Sequence, residues 1–175
     1  MKHQATWGLT DKWYPVVLDT EDGGYFTTIT YDFKVGDNQD KMIVTQSRHL
    51  WVTSQAAMHY NESRFLNYAE HGFDFLKTKM WDANHGGFYD LVDEKGVPIE
   101  TEKPKKTAYG NAFAIYGLAA YYKASGNKQA LELAKKPSIG WKSTVTINCI
   151  KVIINLLDYM VHLLKGMKPS HLPLR

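Results

Sequence analysis

A chain of 175 residues, 44% hydrophobic and 22% charged, is long enough to bury a core as one domain of ordinary size. This composition excludes collagen and low-complexity disorder, and a lone cysteine, Cys149, excludes a disulfide-stapled scaffold. The net charge of +3 is uneven: residues 135–175 hold seven Lys or Arg against one acid, Asp158, whereas residues 1–134 sum to −3.

Taken in chain order, the sequence repeats itself. Asp19-Thr20-Glu21-Asp22-Gly23-Gly24-Tyr25-Phe26 returns 63 residues later as Asp82-Ala83-Asn84-His85-Gly86-Gly87-Phe88-Tyr89. After the first copy, a β-branched run from Thr27 to Tyr31 leads into a turn at Asp32-Phe33-Lys34. That is the pattern of a β-hairpin entered through a Gly-Gly turn, where glycine takes positive φ cheaply. Residues 41–59 then carry Ile43, Val44, Ser47, Leu50, Trp51, Ser54 and Ala57 at helical spacing. Residues 64–81 place Phe65, Tyr68, Ala69, Gly72, Phe73, Leu76 and Met80 on one stripe and predict a second helix. The second loop copy follows, continuing as Asp90 to Val92 and a turn at Asp93-Glu94-Lys95-Gly96. A third helix over 108–124 is apolar nearly all round and should be buried on most sides. Ser125-Gly126-Asn127 stops it, and 128–136 starts a fourth. Two helices and a hairpin in about 63 residues predict a solenoid or a toroid.

At Pro137-Ser138-Ile139-Gly140 the pattern breaks where the repeat calls for a continuing helix. With wobble bases chosen freely, a shifted reading frame of the tail can encode a further helix, an aspartate, Gly-Tyr-Tyr and a hairpin. Residues 137–175 are therefore expected to be an out-of-frame basic tail rather than a nucleic-acid-binding arm. The alternative is a divergent helix built on Ile150, Val152, Ile153, Leu156, Leu157, Met160, Val161 and Leu164. Asn148, Lys151, Asn155, Asp158 and His162 make 145–164 too polar for a membrane span, and no basic-then-apolar leader follows Met1. A soluble, cytoplasmic chain is expected, a single cysteine suiting a reducing compartment.

Several ordered motifs together resemble the N-acylglucosamine 2-epimerase family, which includes cellobiose 2-epimerases and aldose–ketose isomerases. They are Trp13-Tyr14-Pro15 leading to Asp19 and Gly23-Gly24-Tyr25-Phe26, Ser47-Arg48-His49-Leu50-Trp51, and His71-Gly72-Phe73-Asp74-Phe75-Leu76. Trp81-Asp82 with Gly86-Gly87-Phe88-Tyr89, and Tyr109-Gly110-Asn111-Ala112-Phe113-Ala114-Ile115-Tyr116, complete the set. The resemblance runs from Lys12 to Lys136. It implies a mainly α fold: a partial (α/α)6 barrel, an incomplete helical toroid with short β-hairpins between helix pairs. Residues 1–136 would form its N-terminal part and 137–175 the anomalous tail. An open arc of such a barrel should expose apolar surface along 108–124 and invite self-association unless something covers it.

Arg48 is the first chemical candidate, because a guanidinium inside an apolar helix needs an anion or several acceptors. A structural pairing with a carboxylate or backbone carbonyls would satisfy it equally. The resemblance implies instead a pocket arginine holding the sugar oxygen that becomes an enediolate. Trp51, one turn on, is core or pocket wall. Tyr109, opening the most apolar helix, would ordinarily pack its ring and satisfy its hydroxyl at the helix end; the resemblance implies a sugar-binding hydroxyl. Asn111 stands where the family often has glutamine. The spacings of His49, His59, His71 and His85 fit no zinc site, and His71 reads as a hydrogen-bonded core residue. The family's two acid–base histidines fall beyond Lys136, where His162 and His171 match neither, so the alternative to a sugar epimerase or isomerase is a catalytically inactive fragment or a carbohydrate-binding helical repeat. Asp74, Asp82 and Asp90 could be imagined as a glycosidase pair, with surface or capping roles as the default. Asp19 to Gly24 lacks the alternating ligands of a calcium loop. The implied partner is a small-molecule sugar, with no metal, no redox cofactor, no nucleic acid and no membrane.

Overall fold

The computed structural model describes residues 10–99 and 105–140, with side chains to residue 136. Four helices carry the fold: α1 Ile43–Tyr60, α2 Ser63–Phe75, α3 Ala108–Ser125 and α4 Lys128–Gly140. α1 packs chiefly on α3 and α2, and α3 on α1 and α4. This is the order of two stacked helical hairpins, with α1 and α3 side by side. The expected mainly helical repeat is what the chain adopts.

Small residues set the closeness of α1 and α3. α1 buries Ser47, Ser54 and Ala56, and α3 buries Gly110, Ala112, Ala114, Gly117 and Ala120. A Cβ on Gly117 would lie 2.7 Å from the Ser47 carbonyl oxygen, so the backbones meet where a side chain would hold them apart. α2 buries the stripe read from its sequence: Phe65, Ala69, Gly72 and Phe73, continued by Leu76 and Met80. Its last turn widens, however. Leu76–Met80 is a π-helical turn, and the Trp81 N–H bonds to the Leu76 carbonyl at 3.0 Å. Leu76 and Met80 stay fully buried through the wider turn, as their place on the stripe predicts; the turn itself is what the spacing does not mark.

Caps fix the other ends. Thr107 accepts the Gly110 N–H at 3.0 Å and starts α3, and Gly126 (φ 72°) ends it by donating to the Tyr122 carbonyl. α4 runs through Pro137 to Gly140, so the expected break there is not where the helix stops. Proline's fixed φ is already helical, and its cost is one missing backbone bond near the helix end.

The expected hairpins shrink to single bridges: Leu18 with Tyr25, Ile29 with Val35, Trp81 with Phe88, and Val92 with Pro98. The two-stranded ladder lies between repeats instead, with β1 (Lys41–Met42) antiparallel to β2 (Leu91–Val92), Lys41 opposite Val92. Backbone bonds such as Asp19 N–H to the Gly24 carbonyl and Asp82 N–H to the Gly87 carbonyl close the loops together with side chains. On α3, where apolar exposure is expected, Ile115, Leu118 and Tyr121 are buried, Phe113, Tyr116 and Tyr122 are half-buried, and Tyr109 is 61% exposed. Among the described residues Trp13, Tyr31, Phe33, Val35, Met42, Val52, Met58 and Val97 are the large apolar side chains exposed elsewhere. No described helix is long and apolar enough to cross a membrane. The expected tail lies outside the residues with described side chains.

Candidate functional site

The repeated loop is the scaffold on which the site stands. In its first copy, Asp19 Oδ1 accepts the N–H groups of Glu21 and Asp22, at 3.1 and 3.0 Å, and Oδ2 accepts from Lys41 Nζ at 2.6 Å. Lys41 also donates to the carbonyls of Gly23 and Glu94, and Gln46 clamps Tyr25 by accepting its N–H and donating to its carbonyl. The second copy reproduces this geometry. Asp82 accepts from Asn84, His85 and Lys106; Lys106 donates to the Gly86 carbonyl; Asn111 clamps Phe88 through its N–H and carbonyl. Asn111 therefore has a buried structural role, the counterpart of Gln46. Its shorter side chain also reaches the Thr107 carbonyl.

Burial alone would raise both carboxyls. The lysine ammonium and the backbone N–H donors outweigh it and hold Asp19 and Asp82 below the usual carboxylate range. These aspartates are loop braces. Asp90 is another brace, accepting from the N–H and hydroxyl of Thr107, and Asp74 is exposed on α2. The imagined glycosidase pair is thus assigned to structure. Among the described residues no group of three His, Cys, Asp or Glu side chains is placed to hold a metal ion. Sequence reasoning misses Lys41 and Lys106; they follow the loop aspartates by 22 and 24 residues, a second periodicity beside the glycines.

Each brace fixes the start of a helix whose next turns carry the candidates. Arg48 departs from expectation: its guanidinium is exposed on α1, not buried, and lies 4.9 Å from the Phe113 ring centre on α3. A stacked guanidinium keeps its hydrogen-bonding edge open, so the helix interior tolerates it without a buried anion. Phe113 also meets Tyr109 edge-on at 4.9 Å and Tyr116 at 6.1 Å, while Trp51 stacks on Tyr116 at 5.3 Å. Burial raises the Tyr116 hydroxyl pKa above its ordinary value, opposed by the nearby Arg48 charge. Arg48, Trp51 and Tyr109 thus belong to one aromatic face spanning α1 and α3, joined through Phe113 and Tyr116. Neither joining ring is singled out by the sequence as a site residue, because apolar spacing marks both as core.

On its other side Arg48 borders a cleft of about 620 Å³ lined also by Thr10, Lys12, Trp13, Tyr14, Phe33, Thr45, His49 and Val52. His49 Nδ1 lies 2.8 Å from the Tyr14 hydroxyl, and its ring stacks on Tyr25 at 4.7 Å. Burial pushes its pKa down to about 4, so it is neutral at pH 7. His71 is committed elsewhere, its Nε2 bonded to the Gly24 carbonyl at 2.7 Å, which bears out its structural reading. The site therefore offers the Arg48 guanidinium, the Lys12 ammonium, a neutral imidazole and several aromatic faces, a combination suited to a hydroxyl-rich ligand that develops negative charge.

Comparison with known proteins accords with this fold. The N-acylglucosamine 2-epimerase (GlcNAc 2-epimerase) family model matches residues 24–143. A cellobiose 2-epimerase of Ruminococcus albus is 38% identical over 132 residues, covering 74% of this chain and 33% of the relative. The solved cellobiose 2-epimerase of Bacillus thermoamylovorans B4167 has a TM-score of 0.68 at 30% identity, over 77% of this chain and 34% of its own. A solved D-mannose isomerase at 24% identity shares the fold, with a TM-score of 0.60 over 86% of this chain and 32% of its own. The chain spans about a third of the length of the curated relatives it matches.

Proposed function

The chain belongs to the N-acylglucosamine 2-epimerase family, and on that premise we propose that its α1–α3 face is the anion-holding wall of a sugar 2-epimerase or aldose–ketose isomerase site. The substrate is an open-chain aldose of the N-acylglucosamine, cellobiose or mannose type. Loss of the C2 proton moves its electron pair toward C1, and the carbonyl oxygen becomes an enediolate oxygen. Reprotonation at C2 from the opposite face gives the epimer; reprotonation at C1 gives the ketose. Arg48 holds the developing oxyanion, Tyr109 donates its hydroxyl to the sugar, and Trp51 walls the pocket through Tyr116.

One observation carries this reading. The Arg48 guanidinium stands over Phe113 at the edge of an open cleft, and no carboxylate among the described residues pairs with it. The ring orients the guanidinium and leaves its hydrogen-bonding edge open to a ligand oxygen. Proton transfer is assigned to neither His49 nor His71, because His71 lies outside the cleft lining and is committed to Gly24, and a His49 with a pKa of about 4 is a weak base at neutral pH. That commitment favours a second reading, a carbohydrate-binding repeat that holds sugar without chemistry. Residues 137–175 are proposed to be an out-of-frame tail, so that 1–136 carries the family sequence; the coding DNA tests this, and an early stop in the shifted frame would end it.

Incubating the chain in deuterium oxide with cellobiose, mannose or N-acetylmannosamine separates the readings. Deuterium appearing at C2 supports catalysis, and binding without exchange supports the binding repeat. Arg48→Ala should abolish either signal while leaving the fold intact, since the side chain is exposed. An unchanged Arg48→Ala variant would remove the assignment.

A further inference from the structure

Tyr14 is only 3% exposed, so its phenolic hydrogen must find an acceptor inside the protein. The acceptor is His49 Nδ1 at 2.8 Å. A nitrogen that accepts carries no proton, so the neutral imidazole bears its hydrogen on Nε2. The ring cannot swing away, being stacked on Tyr25 at 4.7 Å and met edge-on by Tyr14 at 5.9 Å. Among the described residues nothing else bonds to Nε2. His49 nevertheless lines the same cleft as Arg48, its neighbour on α1. The cleft thus has a fixed cation beside a fixed neutral donor.

We propose that His49 is a ligand-contacting residue of this cleft, donating its Nε2–H to a hydroxyl oxygen of the sugar whose reacting oxygen Arg48 holds. This inference rests on the reading of the cleft as a sugar site. Two donors side by side suit a ligand with oxygens on neighbouring carbons, and only one of the donors is charged. Tyr14 is the positioning residue, since its hydroxyl sets which imidazole nitrogen keeps the proton.

The test uses the full chain labelled with ¹⁵N at histidine and arginine. The free protein should show His49 as the Nε2–H tautomer, and Tyr14→Phe should weaken that preference. Adding cellobiose or mannose should shift His49 Nε2 together with Arg48 Nε. His49→Gln, whose amide can both accept from Tyr14 and donate to the cleft, should bind within about threefold of the parent. His49→Leu, made together with Tyr14→Phe so that no buried hydroxyl is orphaned, should bind about tenfold more weakly. A sugar-dependent shift at Arg48 alone, with unchanged affinity in the leucine variant, would overturn the proposal and leave the sugar site standing. A shift at neither residue would remove both.

Discussion

Replacing Lys41 by methionine isolates the brace on which each repeat rests. The lysine is fully buried and its ammonium serves three acceptors: Asp19 Oδ2 at 2.6 Å, the Gly23 carbonyl at 2.8 Å and the Glu94 carbonyl at 2.6 Å. Methionine fills similar volume and supplies no donor. It leaves a carboxylate 3% exposed, supported only by the N–H groups of Glu21 and Asp22. Breaking a buried pair from one side costs about 3–5 kcal/mol. The Glu94 contact joins the first loop to the second hairpin, which argues for the upper half of that range. Lys34→Met provides the comparison, because its pair with Asp32 is 78% and 56% exposed and screened by solvent, so its loss should barely move the unfolding midpoint. Urea unfolding of the full chain followed by circular dichroism reads both. Domain stabilities of about 5–15 kcal/mol make the difference easy to resolve. Asp19→Asn added to Lys41→Met should recover part of the loss by removing the stranded charge. If Lys41→Met falls within about 1 kcal/mol of Lys34→Met, the brace is not what holds the loop and the reasoning fails.

Gly72→Ala should cost about 2–3 kcal/mol, since the added Cβ would sit 2.6 Å from the stacked Tyr25 ring; a melting temperature within a degree of the parent would contradict this packing. His49 contributes a pH dependence. Its folded pKa of about 4 lies below the ordinary histidine value of about 6.5, so its stabilisation is full above pH 6.5 and is lost as pH falls toward 4. The urea midpoint should decline across that window and do so less in His49→Gln. Asp82, held below the ordinary aspartate value of about 3.9, contributes stability at neutral pH that is lost only as pH falls below that value. Asp82→Asn should flatten the acid limb below pH 4 and leave the limb due to His49 unchanged.

The repeat, its helices and its buried stripes are legible because they rest on local periodicity: Phe65 to Met80 on α2, and the all-round apolar α3. The closing of the loops is not, because it depends on Lys41 and Lys106, residues that look like ordinary surface charges until an aspartate and two carbonyls surround them. The π turn at Leu76–Met80 has no marker in a stripe that reads equally well as regular helix. At the site, family likeness picks out Arg48, Trp51 and Tyr109 as a group, yet the environment of Arg48 reads wrongly from its apolar neighbours. Phe113 lies on α3, far along the chain, and it is this ring that lets the guanidinium remain at the surface.

A sealed lysine is also a clock. Amine-acylating reagents should modify Lys34 and the other surface lysines at once, while Lys41, fully enclosed and already bonded to three oxygens, reacts only when its loop opens. The rate at which that one amine becomes labelled would therefore report opening of the loop ahead of α1, without any probe being added to the chain.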